Sequence, residues 1–404
     1  MTSSNWFKAI ILSLILITLN IILTIWAAQY LPAVSKLDGT TPITASNNLE
    51  NYLKNTTRLW DTAYYRDNAQ YGYHPNFKNH FAFFPLFSGQ IWLFNRVIPN
   101  LDWAVLLSSF MNLVLLIYFL LVFYQKFQSK YPEFQIDSFY SLLFGISLPF
   151  TFYFFFPYTE SLFAWLLVAT ITILEFEPNW KIGFLPVITL GLSLTRSVGL
   201  FSLLILFIYF VFEIFKHQRN WIKIAVIPLA MITTAAGLFG FMLFGQQMTG
   251  NFWISSNVQE NWGRKPTTDL TAEFAHTARC LVSNLQEPKC ENIVYRRLGY
   301  EVYPWIALIL IILTLGMAIY VFRKQKPLII GLSAYSLAAL LLPLTTTVLD
   351  SYYRYAMLTP VYFILLPIIL TRYLNPNGKA VLLAVLVAIQ AVFIVLFANG
   401  YWIV

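Results

Sequence analysis

The strongest constraint on this chain is a succession of apolar runs too long and too numerous for any fold that faces water. A helix needs about 20 apolar residues to cross the hydrocarbon core of a bilayer. Runs of that order lie near 7–28, 103–124, 138–156, 161–176, 182–195, 198–215, 222–246, 304–322, 328–348, 356–371 and 380–399. They leave little room for charge, with 26 Lys+Arg and 18 Asp+Glu among 404 residues. A soluble domain charges about a quarter of its residues, so this chain cannot cover itself with a solvated surface. A soluble fold, a disordered chain, a coiled coil and a disulfide scaffold are all excluded. The expectation is an all-α polytopic membrane protein, one integral domain over 1–404 with about eleven transmembrane helices. A net charge of +8 suggests nucleic acid in a soluble protein. In a membrane protein those cations belong on cytoplasmic loops, so no nucleic-acid partner is expected.

The connections between the runs assign the sides. One alternating set is short and basic: Lys126 and Lys130, Lys181, Lys216 with Arg219 and Lys223, Arg323 with Lys324 and Lys326, and Arg372 with Lys379. With Lys8 this side carries twelve cations, whereas the short connections opposite carry only Arg196 and Arg354. The positive-inside rule places the basic set and the N-terminus in the cytoplasm. The first run is too long for a signal-peptide core and lacks a small-x-small cleavage site, so it reads as a retained anchor. Two long loops, 29–102 and 247–303, then lie outside. Segment 81–97 is apolar enough to pass for a span, but it holds Pro85, Gly89, Asn95 and Arg96 and would break the charge alternation. It reads as an interfacial or re-entrant helix. Cys280 and Cys290 share the second outer loop, where an oxidising exterior would favour a disulfide. Two Cys and four scattered His offer no metal site.

Ionisable groups near a bilayer are costly, and four such places fall on the exterior side. In the first, Trp60, Ala63, Tyr64 and Asp67 repeat at i, i+3, i+4, i+7 as in an amphipathic interfacial helix, which Gly72 would end. Asp61, one turn from Tyr64 and Tyr65, suits a general base, and His80 follows downstream; an aromatic-belt helix with solvated charges suits the same residues. In the second, Glu160 stands between two apolar runs, with Thr159 or Ser161 available to cap the next helix. The third is Arg196, which needs a carboxylate such as Glu160 or a lipid phosphate, unless it snorkels to the headgroups. The fourth holds Asp350, Tyr353, Arg354 and Tyr355, suited to a phosphate oxyanion or to a plain Asp–Arg pair in a Tyr belt. The second long loop adds Trp253, Trp262, Arg264, Lys265, Arg296 and Arg297, suited to sugars, phosphates or headgroups.

Taken together, these pieces resemble the second GPI mannosyltransferase (PIG-V) family of GT-C membrane glycosyltransferases. The resemblance rests on Trp60-Asp61 with Tyr71-Gly72-Tyr73, on Phe81-Ala82-Phe83-Phe84-Pro85, on Tyr158-Thr159-Glu160-Ser161-Leu162-Phe163-Ala164, and on Arg196-Ser197 with Gly199. It covers roughly 55–200. The chain departs from the family at Tyr64-Tyr65, where His-Phe is usual, at Val198, where Asn is usual, and at Ser88, where a proline is usual. Its length looks like that of a prokaryotic relative. The resemblance implies a GT-C-like bundle with interfacial helices in the first outer loop. It implies transfer of a hexose, typically mannose, from a polyprenyl-phosphate sugar, with inversion, at an exterior or lumenal cleft. Asp61 matches the base by position, and Glu160 would orient the acceptor or hold Arg196. Trp60, Tyr64, Tyr65, His80, Arg196, Tyr353 and Arg354 would bind substrate. No cofactor is required, although Asp61 and Glu160 could share a divalent ion. Membrane lipids are partners; the acceptor stays open. The membrane would be the plasma membrane in a prokaryote and the endoplasmic reticulum in a eukaryote. Rival readings are a lipid-linked-sugar flippase or transporter, a non-catalytic subunit, and a GT-C oligosaccharide ligase or polymerase. A transporter would gather its charges at the midplane on broken, repeated helices.

Overall fold

The computed structural model describes residues 3–31, 45–217, 219–267, 303–322, 327–346 and 352–401. The chain is all helical there, and the only extended pairing among the described residues is a bridge between Pro266 and Thr346. In chain order the helices are α1 (Ser3–Ala27), α2 (Leu49–Arg58), α3 (Asp61–Tyr71), α4 (Pro85–Val97), α5 (Leu101–Lys130) and α6 (Ser138–Ser147). There follow α7 (Thr159–Phe176), α8 (Asn179–Ile182), α9 (Leu185–Thr195), α10 (Ser202–Phe215), α11 (Trp221–Thr249) and α12 (Ile254–Asn257). The last are α13 (Tyr303–Phe322), α14 (Pro327–Leu341), α15 (Tyr352–Met357), α16 (Leu366–Tyr373) and α17 (Pro376–Ala398).

Seven of the described helices are long and apolar enough to cross a membrane, and eight if α6 is joined to the 3-10 turn Pro149–Phe155, with which it makes an 87° bend. This is a multi-pass integral membrane protein. Trp180–Thr195 and Val361–Tyr373 are apolar but shorter, and α13, 20 residues long, is flanked on both sides by residues outside the description. Helix α4 has 13 residues, too few to cross.

Capping residues mark where the helices start. Asn48, Asn100, Asp137, Asn220 and Asn375 each accept a backbone N–H of the first turn, as N-caps do. Pro85 and Pro376 open α4 and α17, where a missing N–H costs nothing. Burial separates centre from rim: 89% of the α7 window is buried, against 17% for both α1 and α17. Helix α7 is thus the axis around which the others pack.

Some polar side chains inside the bundle have partners that tie helices together. Asn112 of α5 donates to Gln90 Oε1 of α4 at 2.9 Å and accepts from Trp165 Nε1 of α7 at 3.1 Å. Gln390 of α17 donates to the Ile146 and Leu148 carbonyls at 2.8 and 3.3 Å, satisfying oxygens released where Pro149 breaks the helix.

The C-terminal end of α7 carries two carboxylates where the helix dipole disfavours them. Lysines answer both. Lys130 Nζ donates to Glu175 Oε1 at 2.5 Å and to its carbonyl at 2.9 Å, and Lys223 Nζ donates to the Leu174 carbonyl at 2.7 Å. The Tyr131 and Tyr209 hydroxyls complete the shell around Glu175. Glu177 pairs with Lys126 at 3.4 Å and Lys181 at 2.6 Å. Eighteen residues of α7 at 1.5 Å each put this cluster about 27 Å from the N-terminal end, where the candidate site lies.

Candidate functional site

Helices α2 and α3 meet at a two-residue corner. Arg58 and Arg66 both pair with Asp102 in the first turn of α5, at 2.5 and 3.2 Å, and so fasten the corner to the bundle. Leu59 is extended, and Trp60 then takes φ 54°, ψ −137°. That region costs an L-residue about 1–3 kcal/mol and persists only where surrounding contacts hold it. It turns the chain so that α3 begins at Asp61, whose carboxylate meets the favourable end of the helix dipole. Helix α3 stops at Tyr71, with Gly72 at φ 72° as the sequence led us to expect.

The segment leading into α7 holds this corner from below. The Asp61 N–H donates to Tyr158 Oη at 3.3 Å, and Thr62 Oγ1 donates to the Pro157 carbonyl at 3.2 Å. Tyr65 Oη and Thr159 Oγ1 lie 3.4 Å apart. Helix α7 is capped by Tyr158 without a side-chain hydrogen bond, so the expected capping by Thr159 or Ser161 does not occur. Thr159 is instead engaged with Tyr65 and Arg196.

Four charged groups converge. Glu160, wholly buried, accepts from Arg196 Nη1 and from Arg354 Nε, each at 2.6 Å. Arg354 reaches on through Nη1 to Asp61 Oδ2, so one guanidinium bridges both carboxylates and supplies the positive charge between them. Arg354 lies over the rings of Tyr153 and Tyr158, 5.4 and 4.9 Å from their centroids, and Arg196 lies 5.8 Å from that of Tyr355. Arg196 Nη1 also donates to Thr159 Oγ1 at 3.2 Å. Two cations and two anions make the cluster neutral, and each buried charge has a partner. Arg196 therefore has the carboxylate partner that its position demands, and it does not snorkel away.

Asp61, Arg196 and Arg354 open onto a cavity of about 500 Å³. Tyr65, Thr195, Ser197, Val198 and Tyr355 line it on the bundle side, and Trp253, Ser255, Gln259, Glu260, Trp262 and Arg264 face them from the segment after α11. Phe84, Leu238 and Met242 give it one apolar side. Glu160 lies beneath, off the cavity wall, and touches the two arginines only from behind.

The other expected site residues stand further back. Tyr64 stacks on Phe83 at 4.4 Å and meets His80 edge-on at 5.4 Å and Trp262 at 6.2 Å, forming an aromatic layer behind the wall. Burial first, and then the nearby Asp61 and Asp67, push the Tyr64 phenol above its usual value. His80 Nδ1 pairs with Asn68 Oδ1 at 2.7 Å, and burial holds its imidazole below the usual value, partly offset by Asp67. Neither is among the residues that line the cavity, whereas Tyr65 is. Trp60 faces a separate, much smaller cleft lined by Asn55, Thr56, Tyr158 and Phe397. The side chain of Tyr353, together with Asp350, Cys280, Cys290, Arg296, Arg297 and the Arg323–Lys324–Lys326 group, lies outside the described residues.

Sequence reasoning gave no role to Tyr153, Tyr158, Gln259 or Glu260. Tyr158 could have been found, because it precedes Thr159-Glu160 in the same run; nothing local marks the others. No group of three or more His, Cys, Asp or Glu side chains comes together among the described residues. No protein-family model matches the chain, and no curated protein matches it.

Proposed function

We propose that the chain is a membrane glycosyltransferase of the GT-C type, similar to the PIG-V family, with about eleven spans. It moves a hexose, most simply mannose, from a polyprenyl-phosphate donor to an acceptor hydroxyl. One observation carries this reading. A carboxylate and two arginines, drawn from three segments distant in sequence, face a single cavity at one end of the bundle. Eleven cations on the short basic connections, with Lys8, support a cytoplasmic Glu175 end and an outward-facing cavity, where a flipped polyprenol presents its sugar. The membrane is then the plasma membrane in a prokaryote or the endoplasmic reticulum in a eukaryote.

In the reaction, the acceptor oxygen attacks the anomeric carbon from the face opposite the phosphate, and its proton passes to Asp61. The bond between the anomeric carbon and the phosphate oxygen breaks with its electron pair on the departing polyprenyl phosphate. Arg196 and Arg354 keep further N–H groups beyond those on Glu160 and Asp61, and these stabilise the charge that develops on the leaving group. Glu160 acts through the arginines, fixing their planes toward the cavity. Trp253 and Trp262 offer apolar faces to a sugar ring. The scheme needs no metal, because Arg354 supplies the positive charge between the carboxylates.

Purified protein in liposomes with polyprenyl-phosphate mannose and a range of acceptors tests this. A general base is worth about 10²–10⁴ in rate, so Asp61→Asn and Asp61→Ala should both fall by that factor while still binding the donor. Near-wild-type turnover in both variants overturns the assignment.

A further inference from the structure

We infer that Trp60 is a positioning residue, whose forced backbone conformation aims the Asp61 carboxylate into the cavity. The inference rests on the reading of Asp61 as the reacting base, and its test separates the two. Trp60 and Gln135 are the only residues other than glycine with positive φ among those described, and Trp60 immediately precedes Asp61. At φ 54°, ψ −137° the Cβ atom crowds the neighbouring carbonyl, so the backbone holds this shape only under restraint. The restraint is visible. The indole faces the small cleft between Asn55, Thr56, Tyr158 and Phe397, packed between α2, the lead-in to α7 and the end of α17. Beyond it the Asp61 N–H is held by Tyr158 Oη at 3.3 Å. If Trp60 relaxed to negative φ, the start of α3 would rotate and the carboxylate would leave Arg354. The side chain therefore clamps the strain in place and does not touch what occupies the cavity.

Two substitutions divide the roles. Trp60→Ala removes the clamp but keeps the Cβ atom that drives relaxation. Trp60→Gly removes both, since glycine occupies this region without penalty. Misplacing a reacting group by about 1 Å costs on the order of 100-fold in rate. We expect kcat to fall by that factor in Trp60→Ala with the donor KM unchanged, and Trp60→Gly to recover most of the loss. An activity-independent readout uses Asp61→Cys in each background, alkylated with a membrane-impermeant maleimide. The rate should change with Trp60→Ala and return toward the parent with Trp60→Gly. Equal kcat losses and equal alkylation rates in the two variants overturn the inference, as does a raised donor KM, which would mean substrate contact. If Asp61→Asn keeps wild-type turnover, the glycosyltransferase reading fails by itself, while the alkylation rates still report whether Trp60 sets position 61.

Discussion

Replacing Glu160 with glutamine is the sharpest single probe of the site, because both of its arginines pair with that residue. Glu160 is fully buried and accepts from two guanidinium groups, each at 2.6 Å. Glutamine keeps the shape and one accepting oxygen, but the four-charge cluster passes from neutral to one net positive charge. Breaking a buried ion pair by removing one partner costs about 3–5 kcal/mol. Arg196 is 14% exposed, so solvent screens part of the excess and the expected loss sits near the lower end, about 3 kcal/mol. The size is checked by a double-mutant cycle with Arg196→Gln. The double variant leaves Asp61 and Arg354 as a balanced pair, so its loss should be smaller than the sum of the single losses by about 1–3 kcal/mol. The measurement is unfolding of purified protein in mixed micelles across an SDS gradient, followed by tryptophan fluorescence. Additivity within about 0.5 kcal/mol, or a Glu160→Gln protein as stable as wild type, would refute the neutral cluster as the origin of the arrangement.

Two further outcomes follow from local geometry. A Cβ at Gly199 would meet the Leu192 carbonyl oxygen at 2.3 Å and the Ser193 nitrogen at 2.8 Å, both backbone atoms. Gly199→Ala should therefore cost about 1–3 kcal/mol and weaken donor binding by displacing the turn that carries Arg196, whereas Gly89→Ala, with nothing within 4 Å, should leave thermal stability in detergent unchanged or raised. His80, lowered by burial, binds a proton less readily when folded than when unfolded. Its contribution is intact above the unfolded value, about 6.5, and is lost as pH falls through the lower folded value. Wild-type thermal stability should drop over that window and His80→Gln should flatten the drop; an identical slope in both would dismiss His80 as its source.

Much of the architecture was legible because its causes are local. Apolar runs and Gly72 act within a few residues of themselves, and each run is mostly helical where described. The partnership of Arg196 with Glu160 was legible for a related reason. A cation that close to hydrocarbon has few alternatives to a carboxylate, and one stood at the end of a neighbouring run. The expected capping by Thr159 or Ser161 failed because a better use of Thr159 existed in three dimensions. Its hydroxyl serves Tyr65 and Arg196, and Tyr158 occupies the cap position. The amphipathic spacing that begins at Trp60 placed Tyr64 and Trp60 on one face, yet the helix starts only at Asp61 and Trp60 turns away from it.

What stayed illegible is what long-range packing decides, and Arg354 shows why. Its sequence neighbourhood offers Asp350 as the nearest carboxylate, which made a local Asp–Arg pair a fair reading. Asp350 lies outside the described residues, and the partners described for Arg354 lie 194 and 293 positions away, at Glu160 and Asp61. No periodicity encodes such a pairing. It arises because α7 is the buried axis, the α2–α3 corner is tied to α5 through Asp102, and α15 brings Arg354 against both. Each carboxylate alone has a bland explanation, as a cap or a solvated charge. A buried guanidinium that touches both leaves neither carboxylate merely solvated, whatever each adds at its helix terminus. The case for a functional site therefore rests on Arg354 more than on Asp61, although Asp61 is the residue the motif pointed to.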